Sequence, residues 1–368
     1  MDDLKGRVIH VTLDLGAGGL EQIISAMCLK ESETWPKPSI LVLNEIDPKF
    51  VSAIKKEGVN IRQLEKRRCV DLNYYRRAGK MIEAEKGRII HAHSGCLHDA
   101  ALFSIFVPQS RIVLTCHGLP VENGLRGRLK DNFAGIFAKK IVAVSEEVAE
   151  FYRKRLLFGK NKLIFIRNGV DTSRYKPVSL EVRQKIKQDL NLPISAKVVG
   201  TAGRLTSVKN HEHLLRASSR INAPEMHLVI FGEGDRLPYL IDLAVKLNIR
   251  DRIHFPGVKY EMENFYPCMD VFVLSSISEG TSIALLEAQS CGIPAVVTNV
   301  GGNADVIKDG HNGFVVTLND DDGMASAIKK VFAPEMAAAL SMNSRRRMKA
   351  YFSFDKMMQE YEQIYEQI

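Results

Sequence analysis

Residues 275–301 decide the fold of this chain, and they read SSISEGTSIALLEAQSCGIPAVVTNVG. The apolar and β-branched run just before them, residues 270–274, is typical of a buried parallel strand. A helix is predicted to begin near Ser282, a favoured N-cap type, and to end near Gly292, because glycine and the proline that follows it terminate helices. A buried strand, a loop and a helix in this order predict one unit of an α/β fold.

The loop between this strand and helix consists of small residues, including Gly280, Thr281 and Ser282. The first backbone amides of a helix have no partner within the helix, and the helix dipole favours negative charge at that end. These amides can therefore donate hydrogen bonds to phosphate oxygens. We predict an anion site at this loop.

Two carboxylates, Glu279 and Glu287, indicate which kind of anion binds. Glu279 precedes the helix and Glu287 lies about two turns into it, so they are roughly 9 to 12 Å apart at a rise of about 1.5 Å per residue. This separation is too large for a shared proton. It suits two hydroxyl-rich groups on either side of a diphosphate, because a carboxylate can accept hydrogen bonds from two sugar hydroxyls.

The same segment resembles a known family. Seven residues separate Glu279 from Glu287, as in the E-x7-E segment of retaining glycosyltransferases of the GT-B fold, the group 1 or family four class. The resemblance covers nearly the whole chain, because further short motifs follow in that family's order. These motifs are GGLE at 18–21, TCHG at 115–118, NGVD at 168–171, GRL at 203–205 with Lys209, GEG at 232–234 and FPG at 255–257.

The resemblance implies two Rossmann-like, doubly wound α/β domains that face a cleft. The pattern of the chain agrees, because short apolar runs alternate with helical segments, as in doubly wound parallel sheets. We expect an acceptor-side domain over residues 1–176 and a nucleotide-sugar-binding domain over residues 177–352. A C-terminal helix over residues 353–368 is expected to pack back on the first domain.

Charged residues in this pattern have implied roles. Arg204 and Lys209 follow a predicted strand, where a guanidinium and an ammonium can neutralise a diphosphate that would otherwise need a metal. The resemblance implies that Glu287 holds the ribose and Glu279 the transferred hexose. It also implies that His117, just past another strand, meets the sugar near its 6-position. We expect Glu279, His117, Arg204 and Lys209 to be catalytic.

Glycine-containing loops complete the expected donor site. Gly18 and Gly19 follow the first strand, in a loop that lies near the donor diphosphate in the resembled family. Gly232 ends a later strand, and the backbone near Val258 is implied to pair with the nucleotide base. A dinucleotide fingerprint is the alternative for the first loop, but its spacing is not G-x-G-x-x-G and the next strand lacks a clear terminal acid.

Metal binding is the next possibility to weigh. His91, His93 and His98 form the only histidine cluster in the sequence, and metal sites use such groups. No convincing further ligand set completes a site around them. The acidic run at residues 320–322 precedes a helical segment, where N-capping explains it without a ligand. We expect no metal and no cofactor, with the nucleotide sugar as donor substrate.

Length and composition set further limits. A chain of 368 residues favours two domains that each bury a core. The six cysteines include no Cys-x-x-Cys pair, so neither a disulfide framework nor a zinc ribbon is indicated. No apolar run approaches a membrane span, and the first residues are not those of a signal peptide. We expect a cytoplasmic protein.

The net charge of +8 is concentrated in the first half of the chain. Residues 1–180 hold 30 basic and 20 acidic side chains, whereas residues 181–368 hold 21 and 23. Such charge can attract a protein to an anionic membrane at about 1 kcal/mol per well-placed residue, and a solvated basic face is the alternative. Nucleic acid is not expected, because no recognised binding module accompanies the charge. The clustered residues are Arg62, Lys66, Arg67, Arg68, Arg76, Arg77, Lys80, Arg126, Arg128, Lys130, Lys139 and Lys140.

The sequence therefore predicts a retaining glycosyltransferase that moves a hexosyl unit from a nucleotide diphosphate sugar to an acceptor hydroxyl. A UDP sugar is favoured because it is common in the class. The one-sided charge favours a glycan or lipid-linked acceptor in envelope polysaccharide or lipopolysaccharide assembly, at the inner face of the cytoplasmic membrane. Two alternatives stay open, a nucleotide-sugar epimerase of the same fold and a regulator that binds nucleotide sugars without catalysis.

Overall fold

A computed structural model describes residues 7–16, 18–31, 35–64, 71–120 and 124–368 of the chain. These residues divide into two compact units. Unit 1 comprises Met1–Arg167 together with Met357–Ile368, and unit 2 comprises Asn168–Lys356. The division falls after Arg167, earlier than the predicted boundary after residue 176.

Unit 1 contains a parallel sheet of seven strands among its described residues, in the order β3-β2-β1-β4-β5-β6-β7. The strands are β1 Arg7–Thr12, β2 Ser39–Val42, β3 Asn60–Gln63, β4 Gly87–His93, β5 Arg111–Cys116, β6 Ala138–Ala143 and β7 Leu163–Phe165. The helices between them are α1 Gly19–Glu31, α2 Pro48–Lys56, α3 Leu72–Ala84, α4 Leu97–Phe106, α5 Leu125–Phe137 and α6 Glu146–Arg155.

Unit 2 contains a parallel sheet of six strands, in the order β10-β9-β8-β11-β12-β13. The strands are β8 Lys197–Ala202, β9 Met226–Phe231, β10 Ile253–Gly257, β11 Val271–Leu274, β12 Ala295–Thr298 and β13 Gly313–Val316. The helices are α7 Leu180–Asp189, α8 His211–Ser219, α9 Leu237–Lys246, α10 Ile283–Ser290, α11 Asn303–Val306, α12 Asp321–Val331 and α13 Pro334–Tyr351.

Apolar strands explain why the chain folds this way. All four residues of β11 are buried, as are Val8 to Thr12 of β1, because helices cover both faces of a parallel sheet. The strand predicted over residues 270–274 is confirmed as β11, which differs by one residue at its start. Five cysteines are buried free thiols, as expected, and Cys69 lies outside the described residues.

The order of strands reverses at one point in each sheet. In unit 1 the reversal lies between β1 and β4, and in unit 2 it lies between β8 and β11. Doubly wound sheets bind ligands at the carboxyl ends of the strands beside such a point. The loops that follow these four strands are therefore where a site is expected in each unit.

The last helix of the chain is α14, Phe354–Gln367, and it packs on the sheet of unit 1. Met358, Tyr361, Ile364 and Tyr365 recur at helical spacing and are all buried. The hydroxyl of Tyr361 contacts Thr115 of β5 at 3.2 Å. Among the described residues, no helix is both long and apolar enough to span a membrane.

Candidate active site

The loop after β11 leads into α10 as the sequence predicted. The Ser282 side chain caps the helix by accepting a hydrogen bond from the Leu285 amide at 3.4 Å. Gly292 follows the helix with a φ of 77°, a left-handed conformation that favours glycine. The N-terminus of α10 thus lies beside Gly280 and Thr281, both of which are half-buried. The arrangement suits an anion.

Glu279 and Lys209 form an ion pair in this loop. Glu279 Oε1 lies 2.6 Å from Lys209 Nζ and accepts a second hydrogen bond from Ser276 Oγ at 2.6 Å. Glu279 Oε2 has no partner among the described residues. Both residues were predicted to lie in the site, but their pairing was not predicted. One oxygen of the carboxylate is therefore fixed, and the other can accept from a ligand.

Backbone contacts hold the loops that follow β8 and β11 together. The Ile277 amide donates to the Val208 carbonyl at 2.8 Å, and Ser275 Oγ donates to the Lys209 carbonyl at 3.1 Å. These bonds fix the loop that carries Glu279 against the loop that carries Lys209. The ion pair is therefore preorganised by backbone geometry, which reduces the entropy cost of ordering its long side chains.

A glycine pair packs over the same loop. The Gly302 amide donates to the Gly280 carbonyl at 2.7 Å. Gly301 has a φ of 56°, and a Cβ built on it would lie 2.0 Å from the Glu279 carbonyl oxygen. A larger residue at Gly301 must therefore displace the backbone of Glu279.

We expect Gly301→Ala to lower turnover by about tenfold or more, because it moves Glu279 without altering its chemistry. The matched control is Gly310→Ala, since Gly310 has a φ of 69° and an added Cβ there would meet no atom within 4 Å. Gly310→Ala should lose roughly 1 kcal/mol of stability from the left-handed backbone, and Gly301→Ala should lose more, because its Cβ also clashes with the Glu279 carbonyl. Thermal unfolding and steady-state kinetics of both variants check this. Equal activity of the two variants would contradict it.

The loops after β8, β9 and β10 also meet. Arg204, two residues beyond β8, is exposed and has no hydrogen-bond partner for its guanidinium among the described residues. Gly232 has a φ of 126°, and a Cβ on it would lie 2.0 Å from the Gly203 carbonyl oxygen. The Gly232 amide donates to the Gly257 carbonyl at 3.0 Å, and Val258 follows, half-buried. Three predicted donor-binding positions thus share the carboxyl edge of this sheet.

Glu287 lies on α10, and its side chain has two tyrosines as neighbours. Its side chain is buried, and Glu287 Oε2 accepts a hydrogen bond from the Tyr266 hydroxyl at 2.8 Å, with Tyr175 as a second hydrogen-bonding neighbour. Burial raises the pKa of Glu287 to about 7, and the tyrosine hydrogen bonds and Arg174 only partly oppose this. The carboxyl group is therefore partly protonated at neutral pH. Neither tyrosine belongs to the sequence motifs that predicted the site.

Unit 1 contains the remaining predicted site residues. Gly18 and Gly19 stand at the start of α1, after the loop that follows β1, and Gly19 is exposed. His117 follows β5, where its amide donates to Ser94 Oγ at 2.7 Å. Burial lowers the pKa of His117 to about 3, so the imidazole is neutral at physiological pH.

The histidine cluster differs from the one predicted. His98 lies 3.5 Å from the Asp99 carboxylate and does not join His91 and His93. His10 joins them instead, because β1 pairs with β4 and sets His10 opposite His91. A polar histidine inside the apolar run of β1 was the only signal in the sequence. The predicted histidine cluster was therefore wrong in one residue, because His10 and not His98 is its third member.

The three clustered histidines have the spacing of a metal site, since one ring nitrogen from each lies within 4.8 Å of the others. Their nitrogens are already engaged, however. His91 contacts Tyr365 and Thr115 at 2.7 Å each. His10 and His93 contact each other at 3.0 Å through one nitrogen each. A hydrogen-bonded network accounts for every one of these nitrogens without an ion.

The acidic run at residues 320–322 caps a helix, as expected. Asp320 accepts a hydrogen bond from the Gly323 amide at 2.8 Å at the start of α12. Asp321 lies 3.3 Å from Arg216 Nε and 3.0 Å from Arg220 Nη2. Its charge is therefore balanced by side chains of this chain.

Comparison with known proteins places the chain in a family. Residues 41–174 match the family described as Glycosyltransferase Family 4, and residues 182–351 match the family described as Glycosyl transferases group 1. The chain is 30% identical to the UDP-Gal:alpha-D-GlcNAc-diphosphoundecaprenol alpha-1,3-galactosyltransferase of Escherichia coli, over 78% of this chain and 77% of that protein. The chain belongs to the group 1 glycosyltransferases. The predicted family is thereby confirmed, as is the prediction that the protein is a glycosyltransferase.

Solved structures show the fold of this glycosyltransferase. HepE of Anabaena, solved in a complex with UDP-glucose, has a TM-score of 0.89 and 18% identity, over 99% of this chain and 100% of that one. A glycosyltransferase from Rickettsia africae ESF-5 has a TM-score of 0.87 and 20% identity, over 99% and 98%. The glycosyltransferase has the predicted two-domain α/β fold, GT-B.

Proposed function

We propose that this glycosyltransferase transfers a hexosyl unit from a UDP sugar to an acceptor hydroxyl, with retention at the anomeric carbon and without a metal. The observation that carries the proposal is the Lys209–Glu279 pair beside the N-terminus of α10. A cation and backbone amides suit a diphosphate, and a carboxylate suits sugar hydroxyls. Arg204, exposed at the same edge of the sheet, adds a second cation.

The reaction breaks the bond between the anomeric carbon and the diphosphate oxygen, and its electron pair leaves with the diphosphate. Positive charge then grows on the sugar ring, and negative charge grows on the leaving group. Lys209, Arg204 and the α10 amides stabilise the departing diphosphate. The acceptor oxygen bonds to the same face of the anomeric carbon, and its proton passes to the leaving phosphate. No side chain needs to act as a covalent nucleophile.

Two comparisons support a UDP sugar as donor. The Escherichia coli relative is named for UDP-Gal, and the Anabaena structure contains UDP-glucose. The test is turnover of UDP-glucose, UDP-galactose and their N-acetylated forms with chelator present and with lipid-linked or soluble glycan acceptors. UDP release that requires an acceptor, with retained configuration in the product by NMR, supports the proposal. Release of an altered free sugar without acceptor favours an epimerase, and no turnover with intact binding favours a regulator.

The charge of Glu287 gives a pH dependence to donor binding. We expect affinity for the nucleotide sugar to weaken by up to about tenfold between about pH 8 and pH 6, because protonation through a pKa of about 7 removes an acceptor for the ribose. Calorimetry with an intact nucleotide sugar is the measurement, since its phosphates do not titrate in this range. Glu287→Gln should bind weakly at every pH. An unchanged slope in that variant would contradict the assignment.

A surface of unit 1 supports a lipid-linked acceptor. Leu125 and Leu129 lie one turn apart on α5 and are 74% and 63% exposed. Arg126 and Arg128 are exposed beside them, and Lys130 is half-buried. Exposed apolar side chains flanked by basic ones suit the surface of an anionic membrane. Lys66, Arg67 and Arg68, predicted to share this role, lie outside the described residues.

Charge reversal tests this surface. We expect Arg126→Glu with Arg128→Glu and Lys130→Glu to reduce binding to vesicles of anionic phospholipid by at least about tenfold, at about 1 kcal/mol per charge. Arg346→Glu with Lys349→Glu reverses exposed charges in unit 2 and serves as the control. Vesicle flotation measures both. Equal losses in the two variants would argue against docking through α5.

A further inference from the structure

Four buried or half-buried side chains of unit 1 form one continuous hydrogen-bonded chain that ends at His117. Glu31 Oε2 lies 2.9 Å from His10 Nε2, and His10 Nδ1 lies 3.0 Å from His93 Nε2. His93 Nδ1 then lies 2.9 Å from His117 Nε2. The first three side chains are completely buried. His117 Nδ1 has no partner among the described residues, so it is the end that a ligand can reach.

The charge in this hydrogen-bonded chain resides on Glu31 and His10, the pair at its inner end. Burial alone would lower the pKa of His10, but the Glu31 carboxylate, together with Cys28, prevails and raises that pKa to about 10. Burial raises the pKa of the Cys28 thiol next to His10, so Cys28 is neutral. Burial lowers the pKa of His93 well below its ordinary value. The other titratable groups that face this pair are His91 on β4 and Tyr361 and Tyr365 on α14.

The direction of each hydrogen bond follows from the number of protons on each imidazole ring. A doubly protonated His10 donates Nε2–H to Glu31 and Nδ1–H to His93 Nε2. His93 is neutral, so its single proton lies on Nδ1 and is donated to His117 Nε2. His117 is also neutral and must carry its proton on Nδ1. If His10 were neutral while donating to Glu31, every bond beyond it would reverse, and His117 Nδ1 would become an acceptor.

We propose that Glu31 and His10, acting through His93, hold His117 as the tautomer that presents an Nδ1–H donor to the sugar substrate. Glu31, His10 and His93 are positioning residues, because none of them reaches a ligand. The proposal rests on the proposed function, transfer from a nucleotide sugar, and on the expectation from the family resemblance that His117 meets that sugar. A fixed donor lets a sugar hydroxyl accept from His117 and donate its own hydrogen elsewhere, which selects one orientation of that hydroxyl.

Histidine nitrogen NMR of the full chain tests the tautomer without substrate. Two-bond ¹⁵N–¹H spectra of ¹⁵N-histidine protein at neutral pH should show His117 protonated on Nδ1 and His10 protonated on both nitrogens. Glu31→Met removes the carboxylate with an apolar residue of similar size. It should deprotonate His10 and return His117 towards Nε2–H, the tautomer that a free histidine side chain prefers. In the unaltered protein the same change should occur only as the pH rises towards about 10.

His91→Gln is the matched control. His91 is as buried as His93, and the centroids of their two rings are 4.3 Å apart. The nitrogens of His91, however, contact Tyr365 and Thr115, which are not part of the hydrogen-bonded chain that ends at His117. This variant should leave the His117 tautomer unchanged. An Nε2–H tautomer in the unaltered protein would overturn the proposal, as would an unchanged tautomer in Glu31→Met. A stoichiometric metal in the purified protein would also overturn it, because the bridging nitrogens would then bind an ion.

Kinetics connect the tautomer to function. Glu31→Met should lower kcat/KM for the nucleotide sugar by about 10- to 100-fold, while affinity for UDP alone stays unchanged, because neither Glu31 nor His117 is among the predicted nucleotide contacts. Glu31→Asp keeps the charge and should recover part of the loss. If the unaltered protein turns over no nucleotide sugar, the proposed function fails, and the NMR spectra still decide the tautomer.

Discussion

Glu279→Gln should lower kcat by about 30- to 1,000-fold, the effect of losing roughly 2 to 4 kcal/mol of transition-state stabilisation. Glutamine has the shape of glutamate, so Ser276 keeps a partner while the negative charge is lost. Glu279 Oε1 is 2.6 Å from Lys209 Nζ, and the carboxylate lies beside the site proposed for the reacting sugar. Its removal leaves Lys209 without an ion partner, and the positive charge that develops on the ring loses a counter-charge.

A matched control separates this loss from a general effect of breaking an ion pair. Asp270 precedes β11 at its amino end, and it pairs with Arg183 at 2.6 Å in the same unit. Asp270→Asn should leave kcat within about twofold, because the carboxyl ends of the strands carry the site. Affinity for UDP should also stay near normal in Glu279→Gln, since the hexose contact is absent. Unaltered turnover by Glu279→Gln would remove Glu279 from the mechanism.

Much of the fold was predictable from local pattern. Continuous apolar runs such as β11 mark strands that are buried on both faces, and small residues with glycine or proline mark the ends of helices such as α10. Alternation of the two elements then implies parallel sheets. The spacing of Glu279 and Glu287 could be read because both residues belong to one loop and helix, where geometry is local.

Contacts between distant segments were not predictable in the same way. The Lys209–Glu279 pair depends on β8 and β11 being neighbours, although β9 and β10 separate them in sequence. His10 meets His93 because β1 lies beside β4, which likewise skips two strands. Tyr266 reaches Glu287 from a segment that precedes β11. Strand order decides the first two contacts, and no local residue pattern encodes strand order.

Glu287→Ala should weaken binding of the cognate nucleotide by about 30- to 1,000-fold, or roughly 2 to 4 kcal/mol. Two hydrogen bonds from a ribose to a carboxylate account for most of this loss, because bonds to a charged group are about twice as strong as neutral ones. The variant also leaves the buried Tyr266 hydroxyl without its acceptor, which loosens the wall of the site. Binding of UDP, GDP and ADP without metal, by calorimetry, is the measurement.

The control for this variant is Glu263→Ala, which removes a carboxylate that pairs with Arg174 at 2.8 Å and acts electrostatically on Glu287. It should leave nucleotide affinity within about threefold, because Glu263 is not part of the proposed donor site. Tight binding of one nucleotide by the unaltered protein, weakened in Glu287→Ala but not in Glu263→Ala, places the ribose on Glu287. If all three nucleotides fail to bind the unaltered protein, the Lys209–Glu279 pair does not bind a diphosphate. A protein that keeps the fold but has lost catalysis then explains the structure better.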